Sequence, residues 1–263
     1  MTAALPAASQ AEICREMGVK WISHRGESID APENTLAAFS LSRRRRTDGM
    51  ECDVMLSADE VVVISHDSTT GRMGDRVLSV TETSFAELAR VNVSGAWQER
   101  YPDERIPTLA AALETLGSGR EFFIELKAGC PALVPAVAEV LRAKAMKPEA
   151  IVIISADREL ITLSKREMPE FRALWLPGPY RRYTVDELIA ELRDMKADGV
   201  NASGSQEDLL SAAMVRRLHK LGMLAGVAVA EQPEQARRIA AMGFDYITSS
   251  RAAKLRDMLA KRG

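Results

Sequence analysis

Short β-prone runs return along the chain, most of them followed by a stretch with helical spacing, and this alternation constrains the fold more than any single residue does. The runs fall at Trp21–His24, Met50–Asp53, Phe122–Lys127, Ile151–Ser155, Ala173–Leu176, Gly199–Ala202, Leu224–Val229 and Tyr246–Thr248. Between them lie helix candidates such as ENTLAAFSLSRRRR, LVPAVAEVLRAKA, TVDELIAELRDMKA and QPEQARRIAAMG. Strands that alternate with helices of this length pair in parallel through right-handed crossovers. Eight such runs predict an α/β protein built as a closed (β/α)8 TIM barrel, ahead of an open doubly wound sheet. A glycine-rich phosphate loop or dinucleotide fingerprint, which an open nucleotide-binding sheet would carry, is missing. Gly49, Gly199, Gly222 and Gly243 each stand shortly before a strand, the slot of a helix C-cap.

The 263 residues suit one barrel domain over 1–263, with a single interruption. From about 54 to 108 the rhythm breaks and an insertion follows the second strand. Its start, VMLSADEVVVISHD, reads as a hairpin with Ala58-Asp59-Glu60 in the turn, and a polar stretch with Trp97, Tyr101 and Pro102 follows. Helical spacing resumes at PTLAAALETLG. The insertion is expected to stand above the barrel mouth.

With 46% hydrophobic and 27% charged residues the composition is ordinary globular. Three cysteines, Cys14, Cys52 and Cys130, are odd in number and show no metal-ligand spacing, which predicts reduced thiols and a cytoplasmic location. The N-terminal stretch lacks the basic and apolar segments of a signal peptide. No run approaches the roughly 20 apolar residues of a membrane span, so stable membrane insertion is not expected. A formal net charge of −2 gives no reason to expect a nucleic-acid partner. Arg43–Arg46 close a helix, where cations complement the dipole; the alternative is an anion-binding surface patch.

Reactive groups of such a barrel sit at the C-terminal ends of its strands. Those ends offer His24 and Arg25, then Glu51 and Asp53, then Glu125 and Lys127, and the return strand of the hairpin adds His66 and Asp67. Alternate residues of a strand share a face, so Glu51 and Asp53 point together while Cys52 points away. Glu125 and Lys127 likewise share a face. Three inward carboxylates are very costly unless compensated, and a hard divalent cation, Mg²⁺ or Ca²⁺ rather than zinc, is the simplest compensation. Each element alone has a plainer explanation: a hydrogen-bonded structural histidine, a chance E-x-D, an internal Glu125–Lys127 ion pair. Their convergence on three successive βα-loops does not. His219 has no partners in view and is assigned no function. Pro32, Glu33 and Asn34 form a helix-start signature in which a side chain satisfies free backbone N–H groups; the alternative is Glu33 approaching a metal from the loop.

These residues bring the chain to a family. Through SHRGESIDAPENTLAAF, GMECDVMLSADEVVVISHD, IPTLAAALE and FFIELK, and more weakly through DGVNASG and LHKLGMLAGVAVAEQPEQARRIAAMGFDYITS, it resembles the glycerophosphodiester phosphodiesterases, a branch of the phospholipase C-like phosphodiesterase barrels. The resemblance implies that Glu51, Asp53 and Glu125 bind one divalent cation (Mg²⁺ or Ca²⁺, with Mn²⁺ as a third option). It implies that His24 and His66 form the acid–base pair, and that Arg25 and Lys127 bind substrate phosphate. The implied partner is a small-molecule phosphodiester. The implied reaction is attack by the substrate's neighbouring hydroxyl, giving a cyclic phosphate that water then opens to sn-glycerol 3-phosphate. Imidazoles titrate near ~6.5, which suits both proton transfers, each worth ~10²–10⁴-fold.

The chain departs from the family pattern on one side of the pocket. Ala228 stands where relatives carry a tryptophan, Glu231 where an asparagine is common, and Thr248-Ser249 where they often read TD. A wider pocket on that side follows, with Trp175 and Tyr180 as candidates to replace the lost aromatic surface or, for Trp175, to pack the core. The alternatives to glycerophosphodiester hydrolysis are a lysophospholipid or sugar phosphodiester substrate, and a barrel that binds without turnover.

Overall fold

In the computed structural model, which describes residues 18–178 and 181–260, eight parallel strands close into a ring. Around the ring run β1 (Lys20–Ser23), β2 (Gly49–Leu56), β4 (Glu121–Leu126), β5 (Ile151–Ser155), β6 (Arg172–Trp175), β7 (Gly199–Ser203), β8 (Leu224–Ala228) and β9 (Tyr246–Ser249), and β9 returns to β1. The ninth strand, β3 (Val62–Ile64), lies outside the ring, antiparallel on β2. Helices α1 (Leu36–Arg44), α4 (Leu133–Ala143), α5 (Arg158–Glu167), α6 (Val185–Asp194), α7 (Ala212–Lys220), α8 (Pro233–Ala241) and α9 (Ala252–Ala260) are the longer ones. The short helices α2 (Phe85–Leu88) and α3 (Leu109–Leu113) fall in and just after the insertion. The TIM barrel expected from the strand rhythm is therefore present.

Strand parity divides the core. Met50, Cys52, Val54, Phe122, Ile124 and Leu126 face outward and pack with the helices in one large apolar layer. Ile22, Phe123, Val152, Ile154, Leu174 and Tyr246 form a separate cluster, the plug inside the ring. Phe123 and Tyr246 meet edge to face there at 5.0 Å between centroids. This plug is the floor of the site above it. Beneath it, at the N-terminal mouth, Glu121 pairs with Lys20 and lies 3.3 Å from Arg172 Nη2, while Arg172 Nη1 donates to the Tyr246 hydroxyl at 2.7 Å.

Two of the four glycines do not serve as helix caps. Gly49 and Gly199 are the first residues of β2 and β7, where strands crowd: a Cβ on Gly49 would lie 2.5 Å from the Glu121 carbonyl oxygen, and one on Gly199 would collide with the Leu224 backbone. The left-handed positions after α1 and α6 fall instead on Arg46 (φ 56°) and Lys196 (φ 54°). Gly222 (φ 71°) and Gly243 (φ 87°) do occupy the expected left-handed slot after α7 and α8.

β2 outruns the ring. Its Val54, Met55 and Leu56 pair with Ile64, Val63 and Val62 of β3. The chain that follows gathers an apolar cluster of its own from Val63, Val80, Leu88, Val91, Val93 and Ile106. Among the described residues no helix is long and apolar enough to cross a membrane.

Candidate active site

The parallel register sets Asp53 of β2 beside Glu125 of β4, with Glu51 one inward position lower. Carboxylate oxygens of Glu51, Asp53 and Glu125 come within 4.8 Å of one another. Two cations face them: Lys127 Nζ lies 2.6 Å from both Asp53 Oδ1 and Glu125 Oε1, and Arg25 Nε lies 3.2 Å from Asp53 Oδ2. Asn34 grips Asp53 twice, donating from Nδ2 to Oδ2 at 2.8 Å and accepting the Asp53 N–H on Oδ1 at 3.3 Å. Glu51 Oε2 accepts the Arg25 N–H at 2.8 Å, whereas Glu51 Oε1 is buried and has no hydrogen-bond partner.

These partners divide the three acids electrostatically. Burial, and then the charges of Asp53 and Glu125, push Glu51 well above the usual carboxylate range. Burial and Asp53 also raise Glu125. Burial works against ionisation of Asp53 as well, yet Lys127 and Arg25 outweigh it and hold this group below its ordinary value. Burial would lower Lys127, but Asp53 and Glu125 raise it. An orphaned buried oxygen and two acids held short of easy ionisation mark a centre lacking positive charge. Three oxygen donors without a sulfur or imidazole ligand fit a hard divalent cation such as Mg²⁺ or Ca²⁺.

His-Arg-Gly follows β1 because the chain must reverse there. Arg25 (φ 54°) and Gly26 (φ 78°) are successive left-handed residues, and a Cβ on Gly26 would lie 2.6 Å from the Ala38 backbone. The reversal aims the Arg25 N–H at Glu51 and its guanidinium at Asp53 and at Glu33, whose Oε1 accepts from Nη1 at 2.8 Å. The His24 N–H donates to the Ser249 carbonyl at 2.9 Å, and its Nδ1 lies 3.4 Å from Ser250 Oγ. Glu231 holds that loop, accepting from Ser250 N–H at 2.8 Å and from Ser249 Oγ at 3.1 Å. Burial, with the Arg25 charge second, depresses the His24 pKa to about 4.

His66 follows β3, just past Ser65. Its Nδ1 lies 2.7 Å from Asp67 Oδ1, and the ring is near enough to act electrostatically on both Glu125 and His24. A small cavity lined by Glu33, Asn34, His66, Asp67, Arg72 and Met73 runs beneath the insertion at this point.

All seven residues singled out in the sequence thus gather at one mouth. Others are differently employed. The α1 cap is Thr35, whose hydroxyl accepts from the Ala38 N–H at 3.3 Å; Asn34 is committed to Asp53 and Glu33 to arginines. Trp175 is core, 3% exposed, with its ring edge-on to Tyr183 at 5.4 Å, and it adds nothing to the pocket. Tyr180 and Cys14 lie outside the described residues. Asn34, Arg72, Ser250 and Glu231 join the site without having been assigned to it. Of these, Asn34 carried a sequence signal inside APENT beside the first strand, and Glu231 as a departure from the family pattern; Arg72 and Ser250 carried none.

Fold and site together define a class of (β/α)8 barrels that collect an acidic cluster, two imidazoles and two cations at the C-terminal mouth. The family model for the glycerophosphoryl diester phosphodiesterase family matches residues 24–254, and the chain belongs to that family. A glycerophosphodiester phosphodiesterase of Caldanaerobacter subterraneus subsp. tengcongensis is 37% identical over 140 residues, 51% of this chain and 56% of that one. The match therefore spans little more than half of that relative's length. A glycerophosphodiester phosphodiesterase of Bacillus subtilis is 23% identical over 241 residues, covering 85% of this chain and 80% of its own. Among solved structures, an Oleispira antarctica phosphodiesterase in complex with the product sn-glycerol-3-phosphate is 25% identical. It superposes with a TM-score of 0.80 over 93% of this chain and 98% of its own.

Proposed function

We propose that this protein hydrolyses glycerophosphodiesters to sn-glycerol 3-phosphate and an alcohol, using one divalent cation and a pair of histidines. The observation that carries this is the buried Glu51–Asp53–Glu125 cluster with its unpartnered oxygen, flanked by His24, His66, Arg25 and Lys127. The product held by the Oleispira relative supports the same product here. Held by Glu51, Asp53 and Glu125, Mg²⁺ or Ca²⁺, or else Mn²⁺, would supply charge neutralisation at the phosphate and acidify a coordinated hydroxyl.

The chain's own residues do the rest. Arg25 and Lys127 line the same cluster, where a phosphodiester would meet their positive charge as negative charge builds on its oxygens. One histidine accepts the proton of the substrate's neighbouring hydroxyl as its oxygen bonds to phosphorus. The other gives a proton to the departing alcohol oxygen as the old P–O bond breaks. Water then opens the cyclic phosphate with the two proton transfers reversed. The barrel acts as one catalytic unit, and the insertion at about 54–108 walls the approach to it. Cys52 and Cys130, both free thiols, agree with a reducing cytoplasm.

Ala228, whose small side chain ends β8 at the mouth, favours a second substrate class, a bulkier lysophospholipid or sugar phosphodiester. The deciding experiment follows sn-glycerol 3-phosphate release from glycerophosphocholine and glycerophosphoethanolamine with Mg²⁺, Ca²⁺ or Mn²⁺, and with EDTA. Release that EDTA abolishes is expected. Silence on both, in protein that still binds the cation, would move the assignment to the bulkier diesters.

A further inference from the structure

We infer that Arg72 is a positioning residue for the reaction: it fixes Asp67 against His66 and Glu33 against Arg25, so one guanidinium from the insertion aims two groups of the barrel mouth. The inference rests on the roles proposed above for His66 and Arg25.

The contacts form a continuous chain. Arg72 Nε donates to Asp67 Oδ2 at 2.5 Å and Nη2 donates to Glu33 Oε1 at 2.7 Å. The other Asp67 oxygen lies 2.7 Å from His66 Nδ1, and the same Glu33 oxygen accepts from Arg25 Nη1 at 2.8 Å. Two carboxylates from segments 39 and 5 residues away are spanned by one planar fork, which an ammonium, a single point of charge, cannot do. Arg72 faces two carboxylates, Glu33 and Asp67, so its charge is already met without substrate.

What this does for His66 is a matter of tautomer. A carboxylate accepts, so Asp67 keeps a proton on Nδ1 and turns Nε2 toward the site, where it accepts a proton when bare and gives one when protonated. Asp67 is one-third exposed, so without Arg72 it is free to turn toward water and release the ring. Arg72 itself ends a short turn, Thr70–Arg72, that is tied down on both sides: buried Thr70 donates its hydroxyl to the Arg76 carbonyl at 2.6 Å and accepts the Leu78 N–H at 3.0 Å. The rival explanation is that Arg72 merely fastens the insertion to the barrel. That would change stability and leave the chemistry of the docked enzyme alone.

Five proteins separate the two: wild type, Arg72→Ala, Arg72→Lys, Asp67→Asn and Asp67→Asn/Arg72→Ala, all full chain and saturated with the cation that supports wild-type release. In R72A, kcat should fall about 10²-fold, as for other small misplacements of a catalytic group, with affinity for the cation alone unchanged. R72K should restore only part of the loss. The double variant should be no worse than the poorer single one, since the two residues act as a unit. ¹⁵N NMR of the His66 ring should show the Nδ1–H tautomer in wild type and a mixture in R72A. Wild-type kcat and tautomer in R72A, or full recovery in R72K, would overturn the inference. If wild type itself hydrolyses no phosphodiester, the proposed function fails, and the ring tautomer still decides whether Arg72 positions His66.

Discussion

At the N-terminal mouth of the barrel one carboxylate, Glu121, faces Lys20 and Arg172, and Arg172 reaches on to the Tyr246 hydroxyl. At the C-terminal mouth three carboxylates share two cations, and a buried Glu51 oxygen is left without a partner. Below, two cations face one carboxylate; above, two cations face three. A chain selected for stability alone would treat both mouths alike. The excess of acid above holds Glu51 and Glu125 short of easy ionisation, and groups perturbed in this way cluster where function resides.

The two mouths differ most at Glu51. Glu51→Gln is expected to abolish turnover and weaken cation binding by isothermal titration, while the metal-stripped variant melts no lower than wild type, because burial and the neighbouring acids already disfavour a charge on Glu51. A lower melting temperature would mean that Glu51 stabilises the fold as Glu121 does. Next, His66→Ala should lower kcat by ~10²–10⁴-fold with nearly unchanged cation affinity. Collapse of binding would make His66 a ligand.

A pH experiment sharpens the contrast further. Folded, His24 stays neutral down to about pH 4, against 6.5 for the free imidazole. Between those values the unfolded chain binds more protons. The stability contributed by the neutral ring is thus complete above pH 6.5 and is lost as pH falls toward 4. In metal-free protein, urea unfolding at pH 7 and 4.5 should show wild type losing on the order of 2–3 kcal/mol more than His24→Asn. Parallel losses would show that His24 is not held neutral. Smallest in energy is the balanced mouth: Glu121→Gln should cost about 1–2 kcal/mol in the same assay, since its partners keep access to water, and should leave kcat untouched. Lost activity there would show that the two mouths are coupled.

Much of this was legible in the sequence, because parity and strand ends are local properties. Glu51 and Asp53 share a face whatever surrounds them, and His24 falls just past the end of a strand that holds Trp21 and Ile22. The hairpin turn at 58–60 follows equally locally, with Glu60 at φ 60°. Relations set by ring closure were not legible. Gly49 and Gly199 look like caps until the neighbouring strand crowds their Cα. Asn34 looks like a cap until β2 brings Asp53 to it, and only closure onto β1 lets Glu231 act through Ser250 on His24. Arg72 lies in irregular chain with no periodicity to betray its face.

The overhang of β2 has one more consequence. The strand's last ring partner is Val54↔Leu126, and Met55 and Leu56 run on only to carry β3, from which His66 hangs. With the roles proposed above, the ring alone would hold the cation, while turnover would also need the insertion docked to keep His66 in place. Gentle heat or a protease nick between 68 and 105 should then produce loaded but silent barrels, with activity vanishing before the cation is released.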